Sequence, residues 1–298
     1  MYRYFFIRMY RSVLCSMLFF SFMGSSAYAL PEGSGFQYVY SKDSDGVTTN
    51  SFAFDSSQED QEMPFSYKLA YTHLDQAGGS IKETSLVGRW HRPFRGDQAL
   101  TLWAGVAHNE QYNFVPYSAM YDKAFSYKDH MWLSFEHQTV GTVEAYNARI
   151  HTNNYIFTYQ NRLHSKLDWT TTFNRGFYSD RNQENIVESS LTQTFNRQLK
   201  LALVYNYDNA KFTNPGVYYV PQGLRVLSLK PEATLEIGQG ALVFYLQQPL
   251  RARNNSGHIS YYNYGVDYKV GGFTMGYMYT KDDTYYSRVY KAAYVTEW

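Results

Sequence analysis

Cysteine is almost missing: the 298-residue chain has one, Cys15. No disulfide framework can form within it, and no Cys-pair metal or redox site. Proline is scarce, at 8 residues, and only 18% of residues are charged, which excludes a disordered polyelectrolyte. The formal net charge of +1 offers no basic field for nucleic acid. No apolar run of about 18 residues occurs beyond the N-terminus, which excludes a bundle of membrane-spanning helices. The sequence has no G-x-S-x-G elbow and no H-E-x-x-H.

What is abundant is aromatic: 19% of the chain, with 31 Tyr and 20 Phe. The first residues stand apart from the rest. Arg3, Arg8 and Arg11 precede an apolar stretch from Ser12 to Gly24, and Ala27-Tyr28-Ala29 has the small-x-small form of a cleavage site. Residues 1–29 are therefore expected to be a secretory signal peptide, and Cys15 an ordinary residue of its apolar stretch. Removing three of the 27 basic residues leaves 24 against 26 acidic ones, a net charge of −2. Residues 30–298 show no linker or composition shift and are expected to form one domain.

That domain shows period-two alternation and no convincing helical period. Phe273, Met275, Tyr277 and Tyr279 share one face, opposite Thr274, Gly276, Met278 and Thr280. Leu199, Leu201, Leu203, Tyr205 and Tyr207 do the same opposite Lys200, Ala202, Val204, Asn206 and Asp208. Extending this reading gives strands near 35–42, 47–54, 64–73, 81–91, 98–108, 127–139, 142–151, 154–163, 166–178, 184–195, 199–208, 223–236, 241–250, 258–270, 273–281 and 285–298. Short turns at 196–198, 238–240 and 271–272 alternate with longer connections at 109–126, 179–183, 209–222 and 251–257. Short turns on one side and long loops on the other are the habit of transmembrane barrels.

A soluble β-sandwich or propeller would also alternate. Three features favour the bilayer. The faces opposite the apolar ones mix small, polar and charged residues, such as Thr170, Thr172 and Asn174, which suits a wet lumen. Tyrosines collect toward strand ends, where a ring can be buried while its hydroxyl stays wet. A bilayer also leaves no water for unpaired amides, so a β-structure within it must close. The expected fold is all-β: a transmembrane antiparallel barrel of about sixteen strands, within a range of roughly 12–18.

The end of the chain adds a resemblance. Trp298 is preceded at alternating positions by Thr296, Tyr294, Ala292 and Tyr290. This resembles the closing strand of bacterial outer-membrane β-barrel proteins. The resemblance implies outer-membrane location, contact with outer-membrane lipid, and recognition by the barrel assembly machinery through Tyr290, Tyr294 and Trp298. A second resemblance is carried by Asp168-Trp169, by Tyr178-Ser179-Asp180-Arg181-Asn182, by Tyr205-Asn206-Tyr207-Asp208 and by Gly216 to Gln222. These stretches resemble the barrel portion of exopolysaccharide-export porins. Such barrels normally follow a long helical repeat region. The resemblance therefore implies polysaccharide passage or a related envelope role, with a scaffold supplied by another protein.

His73 near Asp75 and Ser80 could suggest a rim hydrolase, but reads better as a polar loop histidine. His130 and His137 are seven apart on one strand, hence on opposite faces, and cannot share a metal. Asp43-Ser44-Asp45-Gly46 lacks the glutamate of a calcium loop and reads as a hairpin turn. No catalytic residue, metal or cofactor is expected. The inward positions are Glu83, Arg89, Glu136, Arg162, Glu188, Lys200, Asp267, Lys269 and Lys291, with both signs present and no ladder of one sign. Opposite charges across a narrow barrel pair, so these residues either fill the barrel or tune a pore. Trp103 and Trp132 also point inward in this register, and are read as packing or interface anchors before sugar platforms. The expected function is an outer-membrane pore for saccharides or exopolysaccharide. The alternative is a plugged structural, adhesion or assembly barrel whose loops at 109–126 and 209–222 carry the function.

Overall fold

The computed structural model describes residues 34–44, 46–56, 64–77, 79–212, 221–281, 283 and 286–295. The expected signal peptide and Trp298 lie outside these. The described chain forms a closed antiparallel barrel of 16 strands. They are β1 (Gly35–Asp43), β2 (Thr48–Asp55), β3 (Phe65–Gln76), β4 (Gly79–Phe94), β5 (Gln98–Asn109), β6 (Tyr117–Ala124), β7 (Asp129–Thr139) and β8 (His151–His164). They continue as β9 (Leu167–Tyr178), β10 (Gln183–Thr194), β11 (Leu199–Ala210), β12 (Leu224–Ile237), β13 (Gly240–Asn254), β14 (Tyr262–Val270), β15 (Phe273–Lys281) and β16 (Tyr286–Val295). Short bridges at Asn113–Phe114 and Gly257–His258 lengthen two of the hairpins. Each strand pairs with its sequence neighbours, and β1 pairs with β16 from Gly35↔Val295 to Asp43↔Ser287. Closure leaves no sheet edge with unpaired amides.

The barrel is inside-out relative to a soluble protein. On β3, Phe65, Tyr67, Leu69 and Tyr71 lie on one face and are 70, 51, 47 and 41% exposed. The pattern recurs on the neighbours, with Leu86, Leu102, Val106, Phe173, Leu203, Phe244 and Tyr264 exposed on the same outer wall. No soluble fold leaves an unbroken apolar ring facing water; this surface matches hydrocarbon. Among the described residues no helix is long and apolar enough to cross a membrane, so the strands do the crossing.

Two predicted elements differ from the structure. Residues 142–151, read as a strand, hold a short helix α1 (Val143–Asn147). Thr142 caps it, its hydroxyl accepting from the Ala145 amide at 3.2 Å, and Glu144 occupies the first turn. Conversely, the connection read at 109–126 contains strand β6. Its outward side is Tyr117, Ala119, Tyr121 and Lys123; small Ala119 and charged Lys123 break the apolar pattern. Lys123 keeps its place by lying over the Phe125 ring at 4.8 Å, its stem along the wall and its charge toward the rim. The two errors offset each other, so the strand number survives while the connectivity between 109 and 151 changes.

An even count places both ends of the described barrel at one rim. Connections 95–97, 165–166, 238–239 and 271–272 lie at that rim, the turn end. The strand ends that flank 110–116, 140–150, 211–223 and 255–261 lie at the other, the loop end. The short 77–78 and the longer 56–64 depart from this division.

Candidate functional site

The interior has two unlike halves. At the loop end, the 140–150 segment folds inward and crosses the mouth. Val143 and Tyr146 of α1 pack with Val47, Leu74 and Ile81, which belong to the first hairpin, β3 and β4. Ala145 and Ile150 pack with Ala210 of β11 and Tyr178 of β9. Strands β3 and β11 stand on opposite sides of a 16-strand ring, so the segment is a strap across the lumen rather than a flap on one wall. Val143 is 1% and Ala145 0% exposed. Burial of this extent stabilises docking by about 2 kcal/mol for the valine alone.

Polar contacts lock the strap. The Val143 amide donates to Gln76 Oε1 at 3.3 Å, and Gln111 Nε2 donates to Asn147 Oδ1. Thr139 donates to the Tyr146 hydroxyl at 3.0 Å, and that hydroxyl also bonds Glu83. Burial and the nearby Glu83 carboxylate both push the Tyr146 phenol well above its usual range. The Tyr112 ring lies tilted against Tyr146 with centroids 6.3 Å apart, and Arg149 covers the Tyr112 ring at 5.7 Å. At the opposite wall Tyr178 donates to Glu184 at 2.6 Å.

Beyond the strap lies a polar cavity of about 230 Å³ against the wall formed by β10 to β14. Glu188, Thr192, Lys200, Asn206, Glu232 and Gln247 line it. Its groups are held by cross-strand pairing. Lys200 meets Glu232 at 2.8 Å across the β11–β12 register. Asn206 donates to Glu188 at 3.0 Å, and Gln247 donates to Asn206 and Ser228 at 3.1 and 2.8 Å. Arg162 meets Asp168 at 3.2 Å on β8 and β9. Lys291 reaches Asp267 at 3.6 Å over the intervening strand β15, where a Cβ on Gly276 would lie 2.1 Å from Asp267 Oδ1. Only glycine lets these two charges meet.

The register puts Glu83, Arg89, Glu136, Arg162, Glu188, Lys200, Asp267, Lys269 and Lys291 on the wall face shared by α1 and the cavity. Of these nine, Asp267 and Lys291 come together with each other. Lys200, Arg162, Glu188 and Glu83 find partners outside the set. Those partners, Glu232, Asp168, Asn206 and Tyr146, were missed because a pairing partner is defined by register and not by spacing along one strand. The helix α1 was missed despite its Thr142 cap, since five residues carry no period.

Other singled-out residues fall as follows. Trp103 and Trp132 lie on the inner face, and Trp132 stacks on His130 at 4.0 Å. His130 is on that face too and bonds Asp122 at 2.7 Å, while His137 is outside with Asn153 at 2.7 Å. His73 lies within β3 on the outer face, opposite Lys82, and not in a loop. Asp43 closes the first hairpin by accepting from the Val47 amide at 2.9 Å. Tyr290 and Tyr294 sit on the outer face of β16, Tyr290 against Tyr277 at 4.9 Å. Among the described residues no group of three or more His, Cys, Asp or Glu is placed to hold a metal ion.

No family model matches the chain, and no curated protein matches its sequence. Solved structures do. A bacterial polysaccharide outer membrane secretin is similar with a TM-score of 0.67 at 10% identity, over 89% of this chain and 98% of that one. CdiB from Acinetobacter baumannii is similar with a TM-score of 0.55 at 9% identity, over 89% of this chain and 60% of that one. OccK11 (OpdR) from Pseudomonas aeruginosa aligns with a TM-score of 0.49 at 9% identity, over 89% of this chain and 97% of that one. At such identities the likeness shows the fold, that of outer-membrane β-barrels, and the chain is a membrane-embedded barrel of this type.

Proposed function

We propose that the protein is a channel of the bacterial outer membrane that passes uncharged, hydroxyl-rich solutes of the saccharide class, with the α1 strap as its constriction. The turn end faces the periplasm and the loop end the exterior. One observation carries the reading: the charges that line the cavity beside the strap balance, Glu188 and Glu232 against Lys200 and Lys230, with Lys200 and Glu232 in direct contact. Beside them stand amides and hydroxyls, such as Gln247, Asn206 and Thr192, that exchange hydrogen bonds with sugar hydroxyls as readily as with water. The likeness to a polysaccharide secretin barrel supports the class of cargo. Exit of a polymer strand, rather than entry of small sugars, is the form of transport that this likeness favours. Insertion by the barrel assembly machinery, through the outward Tyr290 and Tyr294 and the terminal Trp298, belongs to the same reading.

The seated strap favours a second reading, a closed barrel whose loops carry the function. One experiment separates the two. The full chain is reconstituted into planar bilayers and into liposomes, and a variant with residues 142–148 replaced by Gly/Ser is measured beside it. Conductance that rises on this replacement, with liposome swelling in a neutral disaccharide and weak ion selectivity, is expected. Bilayers silent for both proteins would remove the channel and leave the loop-bearing scaffold.

A further inference from the structure

Strand β13 contains an irregularity with a consequence for the outer wall. Gln247 faces inward, donating to Asn206 and Ser228. Strict alternation would send Arg251 and Arg253 inward as well. The register forbids it: Ser228 pairs Pro249 while Leu227 pairs Arg251, so Leu250 is an extra residue, a β-bulge. Past the bulge Ala252 faces inward opposite Val226, both buried at 5 and 0% exposure, and Arg251 and Arg253 are turned to the outer wall.

There Arg253 stands directly opposite Arg225 of β12, with Arg251 two residues along. Like charges directly opposite each other repel. The ion pairs among the described residues are Asp122–His130, Arg162–Asp168, Lys200–Glu232 and Lys291–Asp267, none of which involves these arginines. The adjacent sequence 213–220 has no acidic residue to offer. Tyr207, on the outer wall beside them, lies under the Arg225 guanidinium at 5.7 Å. On the membrane side the outward positions become mainly apolar, Leu227 and Leu229 on β12 and Leu250, Leu246 and Phe244 on β13, with Gln248 as the one polar residue among them. Three guanidinium groups thus sit where the apolar band of the outer wall ends at the loop rim.

We infer that Arg225, Arg251 and Arg253 form a docking site for the phosphorylated headgroup of a lipid in the leaflet at the loop end. Guanidinium forks match phosphate oxygens in pairs, and a phosphate supplies the anion that the cluster otherwise lacks. The occupant is a lipid rather than free phosphate because the site is continuous with exposed Leu246 and Leu250, along which acyl chains can lie. The bulge, which costs ladder hydrogen bonds, turns two of the three arginines toward this partner. The inference depends on the barrel sitting in a bilayer and not on what passes through it.

The test uses the full chain in a neutral detergent, titrated with diphosphoryl lipid A and separately with phosphatidylcholine, with bound lipid read by native mass spectrometry. The wild type is expected to retain diphosphoryl lipid A and not phosphatidylcholine. R251Q/R253Q should weaken that retention by roughly tenfold or more, since basic groups at an anionic surface contribute additively. R225Q should weaken it less, and R251K/R253K should fall between. All variants are scored only if they keep the migration shift on boiling that marks a closed barrel; R225Q and the lysine variant keep the test open should the double variant fail it. Equal retention by wild type and every folded variant would overturn the site. Displacement of the lipid by excess inorganic phosphate would overturn the lipid as its occupant.

Discussion

The two halves of the lumen are built on different physics. The loop-end half is closed around an apolar contact in which Val143, Tyr146, Leu74 and Ile81 exclude water from one another. The cavity against β10 to β14 is held by the Lys200–Glu232 ion pair and amide networks across neighbouring strands, and its lining is mostly polar. Hydrophobic contact is non-directional and can let go as a unit, whereas a cross-strand pair is tied to the ladder that sets its register. In the proposed channel the strap is therefore the part expected to move, and the polar wall the part expected to select.

Breaking the strap should have the largest effect. Replacement of residues 142–148 by Gly/Ser is expected to raise single-channel conductance severalfold; an unchanged conductance would show that α1 is not the constriction. V143D should act in the same direction through a single side chain. A carboxylate forced among Val47, Leu74 and Ile81 costs docking about 3 kcal/mol, enough to leave the strap mostly undocked, read as frequent long openings.

Alkaline pH offers a milder way to loosen the same region. The Tyr146 phenol is raised in the docked state, so docking gains from it at low pH and loses that gain as pH rises through and above about 10, the ordinary tyrosine range. Conductance should climb over that interval, and Y146F should remove the climb; a climb of equal size in Y146F would assign it to other groups.

Smaller effects are expected from the polar wall. E232Q leaves Lys200 without its carboxylate, so the reversal potential in a salt gradient should shift toward anions while conductance changes little. K200Q should shift it the other way. Opposite shifts would sharpen the contrast between a selecting wall and a gating strap; a rise in conductance equal to that of the strap replacement would erase it. The least effect belongs to G276A, which forces Asp267 and Lys291 apart and should cost about 1–2 kcal/mol, seen as a lowered temperature for loss of the barrel's boiling-sensitive migration.

Much of this barrel was legible in one dimension. Runs such as Leu199 to Tyr207 and Phe273 to Tyr279 alternate strictly, because one side meets hydrocarbon and the other water over the whole strand. Where that contrast weakens, reading failed. Strand β6 carries Ala119 and Lys123 on its lipid side, and α1 is too short to show a period. Within a strand the side a residue takes follows from two-residue spacing, which is local, as along β14 where Asp267 and Lys269 share a face. Beyond the β13 bulge local spacing points the wrong way, and Arg251 and Arg253 were absent from every sequence-based list of candidates.

The sequence by itself determined the class of fold, its approximate strand number, the side each regular residue takes and the absence of cysteine chemistry beyond Cys15. Those follow from composition and from a period set by the peptide backbone. The tertiary structure alone decided which charges pair, that the 140–150 segment turns into the lumen, and that two arginines leave it for the outer wall. These depend on register, and register is settled only when all the strands close on one another and every amide in the ring must find its partner.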